Sequence, residues 1–312
     1  MVLVAGSANL DFVVRAQHIP APGETVMGHS VQSFAGGKGA NQAVASARSG
    51  GVRTKMVLAL GTDSHAEFLK TSLQSAGVDL HIHVCADQTS GTAFICVADN
   101  AENAITVAPG ANDSLQARHL PPLAGFSHLL MQLETPLDTV AACARAAKAA
   151  GMSVVLNAAP ARTLSPDLLA LVDILIVNVG ELRSLSPGAS SISLAMQALP
   201  CKAVVVTLGP QGSAARFGTQ WFFQPGFAVD AVDTTGAGDT FCGMLVAQLS
   251  LGAGPAQALQ LANAAAALAC TAMGAQASVP TRAAVAAFMQ SQGPANTDGE
   301  HRLRDACQQA TA

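Results

Sequence analysis

Short, almost unbroken apolar runs alternate with segments of helical periodicity along most of the chain. The runs are Val2–Ala5, Lys55–Leu60, His128–Gln132, Val154–Asn157, Ile174–Asn178 and Ala203–Leu208. Such runs suit strands buried on both faces, as in a parallel sheet. Between them Asn41–Arg48, Ala66–Ala76, Leu137–Ala150 and Leu194–Leu199 carry helical spacing. The third of these opens after Pro136 and closes at Gly151, the asymmetry expected of helix ends. From Asp239 onward the pattern is helical. The alternation predicts an α/β fold with helices covering a largely parallel sheet. Two stretches rich in Val, Thr and Ile, near Phe12–Phe34 and Gly91–Val107, break this rhythm and predict a small separate sheet that could serve as a lid. After Gln290 the chain turns polar and is punctuated by Gly and Pro, so residues 1–290 are expected to form the domain and residues 291–312 a tail of uncertain order. No internal repeat interrupts this organisation.

Composition narrows the class. At 312 residues with 50% hydrophobic and 12% charged positions, against a norm of about 25% charged, disorder and coiled coil are excluded as overall descriptions. A net charge of −4 provides no broad cationic surface for nucleic acid or anionic lipid, so the expected partners are small molecules and a second copy of the chain. The uncharged stretch between Asp239 and Arg282 is interrupted by Gln248, Gly252, Gly254, Pro255, Gln257, Gln260 and Asn263, which suits buried helices of a soluble protein rather than a membrane span. Met1 leads straight into an apolar run without the charged start of a signal peptide, and a cytoplasmic location is expected. Seven cysteines form no CxxC pair and read as reduced thiols. His81 and His83 would share a strand face without a third ligand nearby, which predicts solvated side chains.

Candidate chemistry concentrates in three segments. In Val232–Phe241 (VDTTGAGDTF) small residues precede an apolar helical pattern. The unpaired amides of a helix start suit an anion, and Gly236 and Gly238 allow its close approach. Asp239 stands at the mouth of that feature, placed to accept a proton from a substrate hydroxyl; simple helix capping by Asp competes with this reading. In Phe34–Ala43 (FAGGKGANQA) the glycines, Lys38 and Asn41 again run into a helix. Lys38 is followed by Gly39 rather than Ser or Thr, so this is not a phosphate-binding P-loop. Exposed backbone with an amide side chain suits a polyhydroxylated ligand, against the alternative of a tight strand-to-helix turn. Gly6–Asp11 (GSANLD) follows the first strand where a dinucleotide fold would carry GxGxxG, which is absent. Asn9 and Asp11 then lie at a strand's C-terminal end, able to hold hydroxyls or simply to form a turn.

Over residues 1–290 the sequence resembles the ribokinase-like carbohydrate kinase family. The matching segments are GSANLD (Gly6–Asp11), PAPGETVMG (Pro20–Gly28), GGKGANQA (Gly36–Ala43), MQLETP (Met131–Pro136), LNAAPA (Leu156–Ala161), NVGE (Asn178–Glu181), TLGPQG (Thr207–Gly212), DTTGAGDTF (Asp233–Phe241) and GAQASVP (Gly274–Pro280). Their number, order and spacing carry the resemblance. It implies a three-layer α/β/α domain with a small β-sheet lid. The implied reaction is transfer of the ATP γ-phosphate to the 5-hydroxyl of D-ribose, with deoxyribose, another sugar or a nucleoside as alternative acceptors. A non-catalytic sugar or nucleotide sensor is the reading from a different class.

By resemblance, Asp239 is the general base and the backbone of Gly236, Ala237 and Gly238 the anion hole. Asn9, Asp11, Gly37, Lys38, Gly39, Ala40, Asn41 and Glu134, with Asp239, hold the sugar. ATP meets Asn178, the loop Thr207, Leu208, Gly209, Pro210, Gln211 and Gly212, then Gly238 and Asn263. Glu181 orders Mg²⁺ through water, and an activating K⁺ sits by Asp233, Thr235, Ala269, Ala272, Gly274 and Ser278. Lids of this family pair between subunits, which implies a homodimer. With no Tyr and with Trp221 as the sole tryptophan, contacts to adenine are expected from Phe or aliphatic side chains.

Overall fold

A computed structural model describes residues 1–100, 102–292 and 297–309. In chain order its elements are β1 (Val2–Ala5), β2 (Asn9–Ala16), β3 (Gly28–Gly36), α1 (Lys38–Arg48), β4 (Thr54–Leu60), α2 (Ser64–Ser75), β5 (Val78–Val84), β6 (Gly91–Ala98), β7 (Asn103–Ala108), β8 (His128–Met131), α3 (Leu137–Ala149), β9 (Ser153–Asn157), α4 (Pro166–Leu171), β10 (Ile174–Asn178), α5 (Val179–Leu185), α6 (Ile192–Ala198), β11 (Ala203–Thr207), β12 (Gly212–Phe217), β13 (Gln220–Pro225), α7 (Ala237–Ser250), α8 (Pro255–Ala269), α9 (Arg282–Ser291) and α10 (Thr297–Gln308). The six apolar runs all become strands of one nine-stranded sheet, ordered β13-β12-β11-β10-β9-β8-β1-β4-β5. Its pairings are parallel except for those of β11 with β12 and β12 with β13.

Continuous hydrophobicity follows from burial on both faces. In β1, Val2 and Val4 join the core on one side while Leu3 and Ala5 join the core on the other. Met56, Leu58 and Leu60 of β4 likewise oppose Val57 and Ala59. One core is closed by α1, α2, α7 and α8, the other by α3 to α6, which makes the three layers. The uncharged stretch after Asp239 forms α7 and α8, packed on each other and, through α7, on α1. No described helix is long and apolar enough to cross a membrane.

The two interrupting stretches form a second, four-stranded sheet, ordered β3-β2-β6-β7. Its outer pairs are antiparallel and its central pair, β2 with β6, is parallel. β2 starts at Asn9, only four residues beyond β1, so this sheet rises from the C-terminal end of a central strand of the main one, where ligands bind in open α/β sheets. Asn9 and Asp11 are therefore strand residues of the lid, not turn residues.

The polar segment after Gln290 contains α10, which the sequence left without assigned order. Its Leu303 and Cys307 are buried against Phe223, with Trp221, Ile192 and Leu208 alongside, and the Arg304 guanidinium lies 5.3 Å from the centre of the Phe223 ring. The apolar face spans a single turn, too short to register in a polar window. All seven cysteines are free thiols. His83 stacks on His119 at 3.6 Å, and among the described residues no group of three His, Cys, Asp or Glu side chains is arranged to hold a metal.

Candidate active site

The glycine-flanked tip of α7 lies between two cavities, both of them lined by Gly238. Gly236 caps the helix with φ of 75°, and a Cβ there would lie 2.9 Å from the Ala275 Cα. Gly238 differs, because a Cβ there would meet no heavy atom within 4 Å. Its lack of a side chain thus keeps open space next to the backbone rather than relieving a clash inside the protein. Of the three amides expected to form an anion hole, that of Ala237 closes a turn onto the Thr234 carbonyl at 3.2 Å. Those of Gly236 and Gly238 make no backbone hydrogen bond among the described residues, so they and the positive end of α7 remain for an anion. Asp239 is 8% exposed. Its Oδ2 accepts from Asn41 Nδ2 at 2.9 Å and its Oδ1 from Gln42 Nε2 at 2.8 Å, so helix capping does not account for its carboxylate.

The start of α1 carries several of the residues expected to hold a sugar. Gly37 has φ of 86°, and a Cβ there would lie 2.7 Å from the Asn9 amide nitrogen; a Cβ on Gly39 would lie 2.5 Å from that of Ser7. These glycines let the first turn lie flush on the chain between β1 and β2, with Ala40 N–H bonded to the Ser7 carbonyl at 2.8 Å. Glu134 pins that turn: its Oε2 accepts from the Ser7 hydroxyl at 2.6 Å and from the Lys38 amide at 3.0 Å. Asn9 is buried, and its Oδ1 accepts from Asn112 Nδ2 at 2.8 Å. Asn41 Oδ1 is buried without a partner, an acceptor ready for a ligand hydroxyl.

Three carboxylates crowd this side. Burial, then Glu134 and Asp239, push the Asp11 carboxyl up to about 7, against the pull of Lys38. Asp239, more than Glu134 and Glu181, raises the Lys38 ammonium above its ordinary value despite burial. Lys38 lines a cavity of about 150 Å³ with Gly236, Gly238, Asp239 and Glu181.

On the nucleotide side, a cavity of about 700 Å³ is lined by Thr207, Gly209, Pro210 and Gly212, by Phe227, Val229 and Ala266, and by Asn263, Ala237 and Gly238. Its aromatic side chains are Phe227 and Phe241; Trp221 instead stacks on Phe223, 6.1 Å away beneath α10. Leu208 and Gln211 do not line this cavity, and Leu208 packs with Trp221. Asn263 spends Nδ2 on Ser213 Oγ at 2.7 Å and the Leu259 carbonyl at 2.8 Å. Asn178 and Glu181 form a reciprocal cap at the start of α5, each bond 2.8 Å. Burial raises the Glu181 carboxyl above its usual range, opposed by the Asn178 amide and Lys38.

A model of pfkB family carbohydrate kinases matches residues 1–282. The chain belongs to that family. It is 39% identical over 300 residues to the ribokinase of Haemophilus influenzae, covering 92% of this chain and 97% of the relative. Among solved structures, a ribokinase from Thermotoga maritima superposes with a TM-score of 0.87 at 33% identity, over 93% of this chain and 99% of its own. The Arabidopsis thaliana ribokinase complexed with ribose and ATP gives 0.84 at 31% identity, over 93% and 99%. Membership makes the chain a carbohydrate kinase with a ribokinase-like α/β fold and a small sheet set apart as a lid.

Within this family fold hydrogen bonds link four of the residues expected around a monovalent ion, Asp233, Thr235, Gly274 and Ser278. Asp233 Oδ1 accepts from the Thr235 amide and Oδ2 from the Gly274 amide, both at 2.9 Å. The Val232 and Asp233 amides bond the Cys270 carbonyl, and Ser278 N–H bonds the Gly274 carbonyl. Burial opposes ionisation of Asp233, yet these amides hold its carboxyl below its ordinary value. Sequence reasoning missed Asn112, Gln42, Gln132 and Asn157 in the site, and the wall Phe227–Val229. Gln42, Gln132 and Asn157 lie inside the matching segments GGKGANQA, MQLETP and LNAAPA but carry no assigned role there, whereas Asn112 and Phe227–Val229 lie outside every matching segment.

Proposed function

We propose that this carbohydrate kinase transfers the γ-phosphoryl group of ATP to the 5-hydroxyl of D-ribose. One observation carries the reading: a buried carboxylate, Asp239, stands beside two free glycine amides where the sugar-side residues, a nucleotide-sized cavity and a cationic pocket meet. The similarity to ribokinases, one of them complexed with ribose and ATP, supports ribose over other acceptors.

Phosphoryl transfer needs positioning and charge stabilisation more than covalent chemistry. Asn9, Asp11 and Asn41 would orient the sugar, with Asn41 Oδ1 and the Asp11 carboxylate accepting its hydroxyl protons. Asp239 takes the proton of the attacking hydroxyl as that oxygen bonds to the γ-phosphorus, and the bond from phosphorus to the β,γ-bridging oxygen breaks to leave ADP. The Gly236 and Gly238 amides and the Lys38 ammonium face the charge on the moving phosphoryl oxygens. Closure of the lid sheet over the sugar would exclude water as a competing nucleophile.

Mg²⁺, when bound, neutralises the phosphates of the nucleotide. Glu181 suits it: a carboxylate in the cavity shared with Asp239 matches a hydrated ion held mainly by substrate oxygens. The all-oxygen setting of Asp233, Thr235, Ala269, Ala272, Gly274 and Ser278 suits K⁺. Homodimerisation belongs to the same proposal. Val14, Val31 and Phe94 are exposed on one face of the lid, where Phe12 stacks on Phe94 at 5.7 Å, and such apolar patches mark interaction surfaces. Seven unpaired thiols and an ATP donor support a cytoplasmic setting.

The deciding test measures kcat/KM across ribose, deoxyribose, other sugars and nucleosides with ATP and Mg²⁺, in K⁺ and in Na⁺ buffers. Ribose is expected to lead, with more turnover in K⁺. A higher value for another acceptor moves the substrate assignment, and calorimetric ribose binding without ADP release would favour the sensor reading.

A further inference from the structure

Gln42 is 0% exposed and does not line the cavity that Asp239 borders, yet its side chain makes three hydrogen bonds, one of them to Asp239. Its Nε2 donates to Asp239 Oδ1 at 2.8 Å and to Asn157 Oδ1 at 3.0 Å. Its Oε1 accepts from Gln132 Nε2 at 2.6 Å. Asn157 in turn donates through Nδ2 to the Ile176 carbonyl at 3.1 Å. We infer that Gln42 is a positioning residue for the transfer step, one that fixes the carboxylate plane of Asp239 from inside the protein.

The orientation of the Gln42 amide has a single consistent solution. A carboxylate can only accept, so Nε2 must face Asp239. The Ile176 carbonyl requires Nδ2 of Asn157, which turns Oδ1 of Asn157 toward Gln42, again demanding a donor. Oε1 of Gln42 is then left for Gln132, whose Nε2 meets it. Flipping the Gln42 amide would set oxygen against oxygen at two contacts and nitrogen against nitrogen at the third. The donor aimed at Asp239 is thereby set by the backbone of β10 and by the ends of β8 and β9, rigid elements of the parallel sheet. Asn41 clamps the other carboxylate oxygen from the substrate side. With both oxygens held, the remaining lone pairs keep one direction toward the incoming hydroxyl, which is what general-base geometry requires.

This inference rests on the proposed kinase reaction, and its test separates the two. Gln42→Met keeps length and removes the donor. Its kcat with ribose should fall roughly 10- to 100-fold, the scale of a lost hydrogen bond to a buried charge, while the calorimetric ribose Kd stays within about twofold because Gln42 touches no ligand. Gln42→Glu conserves shape but faces Asp239 with a second acceptor, and should be slower still. A role in packing alone predicts the reverse order. Gln132→Met frees the Gln42 amide and should lower kcat by a smaller factor, and the double variant should be no slower than Gln42→Met alone. The inference is overturned if Gln42→Met keeps wild-type kcat, if its loss appears in ribose Kd instead, or if the two substitutions are additive. Should Gln42→Met fail to fold, Gln132→Met decides: reduced kcat with unchanged Kd supports the assignment, and unchanged kcat rejects it. A wild-type protein without ribose-dependent ADP formation would instead remove the kinase reading itself.

Discussion

Gly236 and Gly238 stand two residues apart, and the structure gives them opposite reasons to lack a side chain. A Cβ on Gly238 would touch nothing within 4 Å, so alanine is accommodated and, in a helix, favoured by about 0.5–1 kcal/mol. The added methyl would instead occupy ligand space, since Gly238 borders both the nucleotide cavity and the Asp239 cavity. Blocking one anion-hole donor costs about 2.7–4 kcal/mol of transition-state stabilisation, or roughly 10²–10³ in kcat. At Gly236, φ of 75° costs an alanine about 1–2 kcal/mol, and its Cβ would press on Ala275 besides. Gly238→Ala should therefore unfold at or slightly above the wild-type midpoint and bind ribose normally by calorimetry, yet turn over 100- to 1,000-fold more slowly (an order-of-magnitude figure) in an ADP-release assay. Gly236→Ala should lose several degrees, at about 2–4 °C per kcal/mol for a chain of somewhat smaller size. Near-normal kcat in Gly238→Ala would mean that this amide holds no phosphoryl oxygen, and a midpoint falling as far as that of Gly236→Ala would refute the steric contrast.

Three further outcomes follow from individual contacts. The Asp11 carboxyl titrates at about 7, above its unfolded value, so the neutral form is favoured by folding and the unliganded protein should lose stability as pH rises from about 4 to 7. Sugar binding needs the carboxylate, so ribose KM should rise as pH falls below 7, approaching about tenfold per unit, whereas Asp11→Asn should raise KM near and above pH 7, flatten that dependence and stabilise the unliganded protein; a pH-independent wild-type KM would exclude Asp11 from the sugar contacts. Glu181→Gln should raise the Mg²⁺ concentration giving half-maximal rate without changing ribose Kd, and an unchanged Mg²⁺ titration would remove Glu181 from that role. Deleting residues 293–312 should uncover Trp221, the sole tryptophan, and shift its emission to longer wavelength, while an unshifted spectrum would mean that α10 does not cover it in solution.

How much of this was legible in the sequence depends on the range of the contacts involved. Burial on both faces leaves a local mark, so β1, β4 and β8 to β11 could be read directly from their apolar runs. β12 and β13 could not, because Arg216, Gln220 and Gln224 break the run on strands near the sheet edge. The α7 tip was legible for a related reason: glycines that serve a ligand stand next to the acid they assist, within one short segment. The lid was visible as interrupted rhythm, but the placement of Asn9 and Asp11 on its strand β2 was not, since Asn and Asp also form turns.

The supports of the Asp239 carboxylate belong to the opposite case. Gln42 is separated from Gln132 by 90 residues and from Asn157 by 115, and although each lies inside a matching segment, nothing local to it shows what it holds. Only the closed sheet brings β8, β9 and α1 together, and only then does an acceptor-only carboxylate dictate the direction of each amide in the chain leading to it. Sequence motifs contain both kinds of residue, but only for a group that faces ligand does the surrounding segment show its chemistry locally. The groups that hold those residues still are selected by partners far along the chain, so for such a site the topology of the sheet has to be known before the chemistry of its support can be read.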